Sequence, residues 1–194
     1  ITKVIDSRPG EIMFGLNMIV NKGKTVFVGD TSVHEYPSSE HLAEIAISSA
    51  RVVRLFGFDP KVAFVSHSTF GQPLTSRTKH IKNAVDILKG KNVNFKFDGD
   101  MQPDVALNAQ YKELYPFSEI VGNANILIMP GLHSAAISYK MMRELGGAKV
   151  IGPLLIGLGQ PIEIAPLRSS TSDILNLASV AAYSAGVINY NKKN

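Results

Sequence analysis

No cysteine occurs in the 194 residues. That excludes disulfides, thiol nucleophiles and cysteine-ligated zinc, and leaves the compartment open, with the cytoplasm as default. No apolar run reaches the roughly 18 residues that a membrane-spanning helix needs, no signal peptide opens the chain, and no membrane partner is expected. Neither G-x-G-x-x-G nor G-x-x-x-x-G-K-[ST] is present, so a dinucleotide or P-loop site is not supported. Positive charge is in slight excess, with 20 Lys and Arg against 16 Asp and Glu, and forms no dense block. Nucleic acid is therefore not an expected partner, whereas small anions suit a mildly basic chain. The first residue is Ile1 rather than Met, as in a processed product or a piece of a longer protein. Apolar residues make up 45%, enough for a sizeable core in one domain or one and a half.

The stretch from 61 to 73 organises the rest. Val62 to Val65 is a short apolar run of β-prone residues, as in a buried strand. Ser66, His67, Ser68, Thr69 and Gly71 follow, and then Ile81, Ala84, Val85 and Leu88 at helical spacing. A strand, a hydroxyl-rich loop and a helix N-terminus suit an anion, because helix N-termini carry unpaired N–H groups and partial positive charge. A phosphate-bearing ligand is one reading. An ordinary loop capped by its own Ser and Thr is the other, since capping uses the same residues.

Upstream, Ile12 to Val20 and Thr25 to Val28 read as a hairpin about the turn at 21–24. Ser38 and Glu40 begin a helix whose apolar spacing runs from Leu42 to Phe56 and stops at Gly57. His41 and Glu44 lie one turn apart, but no further ligands accompany them, so no metal site is expected. Downstream, the spacing predicts a strand over 93–97, a loop over 98–103, a helix over 104–113, a strand over 124–129, a loop over 130–134 and a helix over 135–145. A strand over 150–157 and a short β-prone piece over 162–165 follow. Ser170 to Asp173 then caps a last helix with Ile174, Leu177, Ala178, Ala181 and Ala182 on one face, and a frayed polar tail spans 189–194. The acids at 98, 100 and 104 lack the closing Glu of a calcium loop. Strands alternating with helices from residue 60 onward predict an α/β fold with a mostly parallel sheet and helices on both faces. Ligands in such folds bind beyond the carboxyl ends of the strands, where the loops at 66–73, 98–103 and 130–134 converge.

Six segments in colinear order resemble the phosphate acetyltransferase (phosphotransacetylase) family. They are Ala-Glu-Ile-Ala (43–46), Ser-His-Ser-Thr-Phe-Gly (66–71), Phe-Asp-Gly-Asp-Met-Gln-Pro-Asp (97–104), Ala-Asn-Ile-Leu-Ile-Met-Pro (124–130), Ile-Ser-Tyr-Lys (137–140) and Ile-Gly-Pro-Leu-Leu-Ile-Gly-Leu (151–158). The resemblance implies a three-layer α/β/α domain of the isocitrate/isopropylmalate dehydrogenase-like type, usually dimeric. Its N-terminal α/β unit is expected to be missing here. Residues 11–150 would form the main subdomain and 151–188 a return segment towards the other. Enzymes of this family move an acetyl group between coenzyme A and phosphate.

The details are most similar to the C-terminal phosphotransacetylase-like domain of hybrid NADP-dependent malic enzymes. Active transacetylases read Ser-x-Ser-Thr-Lys-Gly where this chain has Phe70 in the Lys place. In the closing motif, the family's active-site Ser falls on Pro166 and its Arg on Leu167, with Arg168 one place late. The family's base for the thiol of coenzyme A falls on Asp173, which in plain terms is also an ordinary first-turn helix acid. The Asn-rich segment after 130 is replaced by His133-Ser134-Ala135-Ala136. The resemblance offers Ser66, Ser68, Thr69, Phe70, Gly71, Pro130, Tyr139, Lys140 and Arg168 as ligand-binding residues, and Asp173 as catalytic only if the domain is active. It implies acetyl-CoA or CoA as ligand, a homodimer or larger homo-oligomer, and an upstream malic enzyme domain holding NADP and a divalent Mg or Mn. A regulatory acetyl-CoA-binding and oligomerising domain is the leading expectation. An active phosphate acetyltransferase and a structural dimerisation module with a vestigial cleft are the alternatives.

Overall fold

The computed structural model describes residues 4–193, with side chains through residue 186. Among these residues, seven strands form one sheet in the order β4-β3-β5-β2-β1-β6-β7. β1 (Phe14–Asn21) and β2 (Lys24–Gly29) are the expected hairpin, antiparallel about a turn with Lys22 and Gly23 at positive φ. Across the middle, β2, β5 (Ile126–Ile128), β3 (Lys61–Val65) and β4 (Lys96–Met101) run parallel. On the far side, β6 (Lys149–Ile156) pairs antiparallel with β1, and β7 (Ile162–Glu163) pairs antiparallel with β6. The sheet is therefore mixed, half its pairings parallel and half antiparallel, and not mostly parallel as the βα alternation predicts. The hairpin causes this, because a two-residue turn can only reverse the chain and so places β1 antiparallel in the middle of the sheet.

Side chains alternate across the strands, and the two faces hold two cores. Phe14, Leu16, Phe27, Val62, Phe64, Ile126 and Ile128 face α1 (Ser39–Leu55), α2 (Ser76–Lys89) and Leu177 of α5 (Thr171–Lys193). Ile19, Val28, Ala63, Val65, Leu127 and Met129 face Val105 and Ala106 of α3 (Pro103–Leu107) and Ala135 of α4 (Leu132–Gly146). Helices thus cover both faces, as the three-layer expectation requires. α1 begins where predicted, with the Ser38 hydroxyl accepting from His41 N–H at 3.1 Å. Thr75 and Thr78 form a reciprocal capping box at the start of α2.

Several boundaries differ from the periodicity. The strand expected over 93–97 lies at Lys96–Met101, so the acids at 98 and 100 belong to a strand and not a loop. Its pairing with β3 overrides their low β propensity. The helix expected over 104–113 divides into α3 and a 3₁₀ turn (Ala109–Glu113), because Asn108 is extended and its side chain accepts from Gln110 N–H. α4 begins at Leu132, so His133 and Ser134 occupy a helical first turn instead of a loop. α5 continues to Lys193 through most of the expected frayed tail; Asn194 and the side chains beyond residue 186 lie outside the described residues.

Phe64 is fully buried in β3, between two parallel neighbours. Phe64→Ala is expected to destabilise the chain by about 3–5 kcal/mol, read from urea unfolding.

Candidate functional site

The parallel strands β2 to β5 all point their carboxyl ends at one edge, and two of them end in Gly followed by a buried Asp. Asp30 follows β2. Its Oδ1 accepts from Gly15 N–H at 2.9 Å, Ser32 N–H at 2.8 Å and Val33 N–H at 3.1 Å. Its Oδ2 accepts from His34 N–H at 2.7 Å and His34 Nδ1–H at 2.8 Å. This carboxylate closes the 31–34 loop as an internal anion would.

Asp100, at the end of β4, does the same for the opening loop. Ser68 Oγ–H donates to its Oδ2, Gly71 N–H donates to Oδ1 at 3.0 Å, and Phe70 N–H donates to its carbonyl at 2.7 Å. Ser66 N–H is taken by the Met101 carbonyl, Ser68 N–H by Ser66 Oγ at 3.4 Å, and Thr69 and Gln72 exchange backbone bonds. Ser66, Ser68 and Thr69 are buried. The donors expected to cradle a phosphate are thus largely turned inward. Phe70 has φ of +51° and sets its ring against Phe117 and Tyr115, at 4.8 and 5.4 Å between centroids. Its ring is thus part of an aromatic cluster with Tyr115 and Phe117.

The open part of the edge lies beside this loop. A cleft of about 490 Å³ is bounded by Glu35, Tyr36, Arg77, His80, Pro130 and His133, with Ser76 and Ser134 also on its wall. Pro130 is the one predicted ligand residue on it. Two helices begin there. At α4, Gly131 supplies no capping side chain, and the N–H groups of His133 and Ser134 take no partner among the described residues. Arg77, exposed in the first turn of α2, makes no ion pair among the described residues. A guanidinium beside free N–H groups of a helix start is suited to a phosphate or carboxylate. His80 is fixed on both sides, its Nε2–H donating to the Pro37 carbonyl at 2.8 Å and its Nδ1 lying 3.1 Å from Ser39 Oγ.

Tyr139, Arg168 and Asp173 line a different groove, of about 680 Å³, between α4, β6 and the start of α5. Lys140 is exposed, with Nζ 5.8 Å from the centroid of the Tyr139 ring. Asp173 sits in a capping arrangement. Its Oδ2 accepts from Ser170 N–H at 2.9 Å and Ser170 Oγ–H at 2.7 Å, and these bonds hold its carboxyl below the usual carboxylate range. The predicted residues are thus divided among a closed loop, an open cleft and a separate groove. Asp30, Asp100, Arg77 and His80 were not anticipated. An acid directly after Gly at the end of an apolar strand is the signal for Asp30, and the spacing of 77 and 80 on one side of α2 for Arg77 and His80; Asp100, in the polar stretch of β4, carries no such signal.

The family described as Phosphate acetyl/butaryl transferase matches residues 1–182. The chain belongs to that family. It is 47% identical over 186 residues to the NADP-dependent malic enzyme of Rhizobium meliloti, which covers 96% of this chain and 24% of that one. It is 36% identical over 169 residues to the phosphate acetyltransferase of Bacillus subtilis, covering 86% of this chain and 52% of that enzyme. The fold superposes on the EutD phosphotransacetylase of Staphylococcus aureus with a TM-score of 0.87 and 30% identity, over 95% of this chain and 58% of that one. This family member therefore spans about a quarter of the length of the malic enzyme relative and little more than half that of the transacetylases.

Asp100→Ala leaves Ser68 Oγ and Gly71 N–H without acceptors in a buried loop; about 3 kcal/mol of stability should be lost in urea unfolding. Glu163 yields a pH prediction. Burial pushes its carboxyl up from 4.5 to about 8, so the folded state holds the proton that the unfolded chain releases. Stability from this group is present below about 4.5 and is lost as pH rises through about 8. Melting temperature should therefore decline less across that window in Glu163→Gln than in the parent chain.

Proposed function

We propose that this chain is the acyl-CoA-binding, regulatory and oligomerising domain of a hybrid NADP-dependent malic enzyme, and that it binds without turning its ligand over. One observation carries the reading: groups that hold an anion are free, and groups that a transfer step uses are engaged. Arg77 and the first turn of α4 are open to the cleft. In contrast, the donors of the 66–71 loop are spent on Asp100, and the Asp173 carboxylate is spent on Ser170. Leu167, in the place of the family's Arg, is fully exposed and cannot stabilise charge. Thiol attack on acetyl phosphate needs both a base and a charge-stabilising donor.

On this reading acetyl-CoA lays its phosphates against Arg77 and the start of α4, and the fold is of the isocitrate/isopropylmalate dehydrogenase-like type. Occupancy is reported to an upstream malic enzyme domain as a coupling free energy. NADP and the divalent metal belong to that domain, in a cytoplasmic homo-oligomer that converts malate to pyruvate. The exposed stripe of Ile137, Met141 and Leu145 on α4 supports the oligomerising part. A second reading, an active phosphate acetyltransferase, is favoured by the shared groove of Tyr139, Arg168 and Asp173. There Asp173 would take the thiol proton and Arg168 would face the phosphate.

Calorimetry separates the two. Acetyl-CoA is expected to bind, Arg77→Ala to weaken it about tenfold through loss of a charged contact, and Asp173→Asn to leave affinity unchanged. Absence of binding at millimolar acetyl-CoA would overturn the reading. Acetyl-CoA formed from acetyl phosphate and CoA, and abolished in Asp173→Asn, would establish the second.

A further inference from the structure

On the sheet face covered by α1 there is a third concavity, and it shares no residue with the edge cleft or the groove. The last turns of α1, strands β6 and β7 and the middle of α5 surround a cavity of about 180 Å³. Its wall is largely hydrocarbon, including Val52, Leu55 and Phe56 of α1, Leu154 of β6 and Val180 of α5. Its polar wall residues are Arg8, Arg51, Gln160, Glu163, Tyr183 and Ser184, and two of them are already engaged. Arg51 pairs with Glu11 at 2.9 Å and donates to Ser48 Oγ at 3.3 Å, and Tyr183 O–H donates to the Leu55 carbonyl at 2.9 Å.

Of the rest, Glu163 and Arg8 are the ionisable ones. Glu163 Oε2 is buried without a hydrogen-bond partner among the described residues. Arg8 is half-buried, held by its backbone N–H on the Gly157 carbonyl at 2.9 Å, and its guanidinium makes no ion pair among the described residues. A buried polar atom without a partner costs free energy unless something fills the site. A carboxyl group asks for an N–H donor, a guanidinium asks for a carboxylate, and the wall between them asks for hydrocarbon.

We propose that this cavity is a binding site for a small apolar α-amino acid, with its ammonium on Glu163, its carboxylate on Arg8 and its side chain against Leu55, Phe56 and Val180. The size agrees: the volume equals about six water molecules at roughly 30 Å³ each, the bulk of valine or leucine but not of tryptophan. Charge agrees as well. Burial pushes the Glu163 carboxyl up to about 8; an ammonium beside it favours the carboxylate, so binding expels a proton. The site does not rest on the acyl-CoA reading, and either can fail without the other.

The test is calorimetry and thermal melting of this chain near about pH 7 with L-leucine, L-valine and L-tryptophan. Isobutylamine and isovalerate serve as the two half-ligands. Leucine and valine are expected to raise the melting temperature. Comparison of buffers with different ionisation heats should show up to about one proton released per ligand. Tryptophan should not bind, and each half-ligand should bind at least about tenfold more weakly than leucine. Glu163→Gln should abolish the proton release and weaken leucine about tenfold or more, while Arg8→Gln should reduce leucine to the affinity of isobutylamine. Circular dichroism establishes that both variants fold; if Glu163→Gln does not, Arg8→Gln and the half-ligands carry the test. No leucine binding at about 20 mM, a concentration that nearly saturates a millimolar site, would overturn the proposal. So would unchanged affinity in folded Glu163→Gln, or equal affinity for leucine and isobutylamine.

Discussion

Asp100 occupies the place that a bound anion would take in the 66–71 loop. Its two carboxylate oxygens and its carbonyl collect the Ser68 hydroxyl and the N–H groups of Gly71 and Phe70. A buried carboxylate is costly unless hydrogen bonds replace its water, and this loop is the replacement. The dependence runs both ways, because without the carboxylate the loop donors would themselves be buried and unpaired. Asp30 repeats the device one strand beyond β5, with five donors drawn from β1 and from the 32–34 turn. The site edge is therefore braced by two buried aspartate side chains built into the chain.

That bracing decides where a ligand can go. The loop after β3 satisfies itself, whereas in the neighbouring cleft α4 starts without a capping side chain and Arg77 makes no ion pair among the described residues. The same internal satisfaction recurs at Asp173, whose acceptor oxygen is held by Ser170. Residues that transfer chemistry would employ are thus converted into structural parts, while concave, donor-lined surface remains. The proposed binding role without turnover rests on this distribution more than on any single substitution.

Much of the architecture was legible from residue patterns. The two-residue hairpin turn at 22–23, the Ser38 cap of α1, the short apolar strand at 62–65 and the apolar spacing from Ile81 to Leu88 each depend on interactions within a few residues, so local sequence carries them. The six colinear motifs likewise led to the family, which the match over 1–182 establishes. The strand at Lys96–Met101 was not legible, because two acids and a glycine lack β propensity and only pairing with β3 holds them extended. The mixed character of the sheet was hidden for a similar reason. Alternation of elements does not say that β6 pairs antiparallel with β1 from the other end of the chain, or that β7 then reverses against β6.

The sequence by itself determined which residue types stand after each strand: hydroxyls and glycine at 66–71, acids at 30 and 100, a proline and glycine at 130–131. Hydrophobic periodicity and turn chemistry act over short range, so they fixed the elements and the polar loops between them. Tertiary structure decided what those polar groups face. Ser68 could have met a phosphate or an aspartate with the same local sequence; bringing β4 alongside β3 supplied the aspartate. Glu163 could have been a solvated strand residue; packing α5 beside β7 leaves it half-buried. Long-range pairing sets the partner of each polar group, and the partner sets whether it binds, braces or stays unpaired.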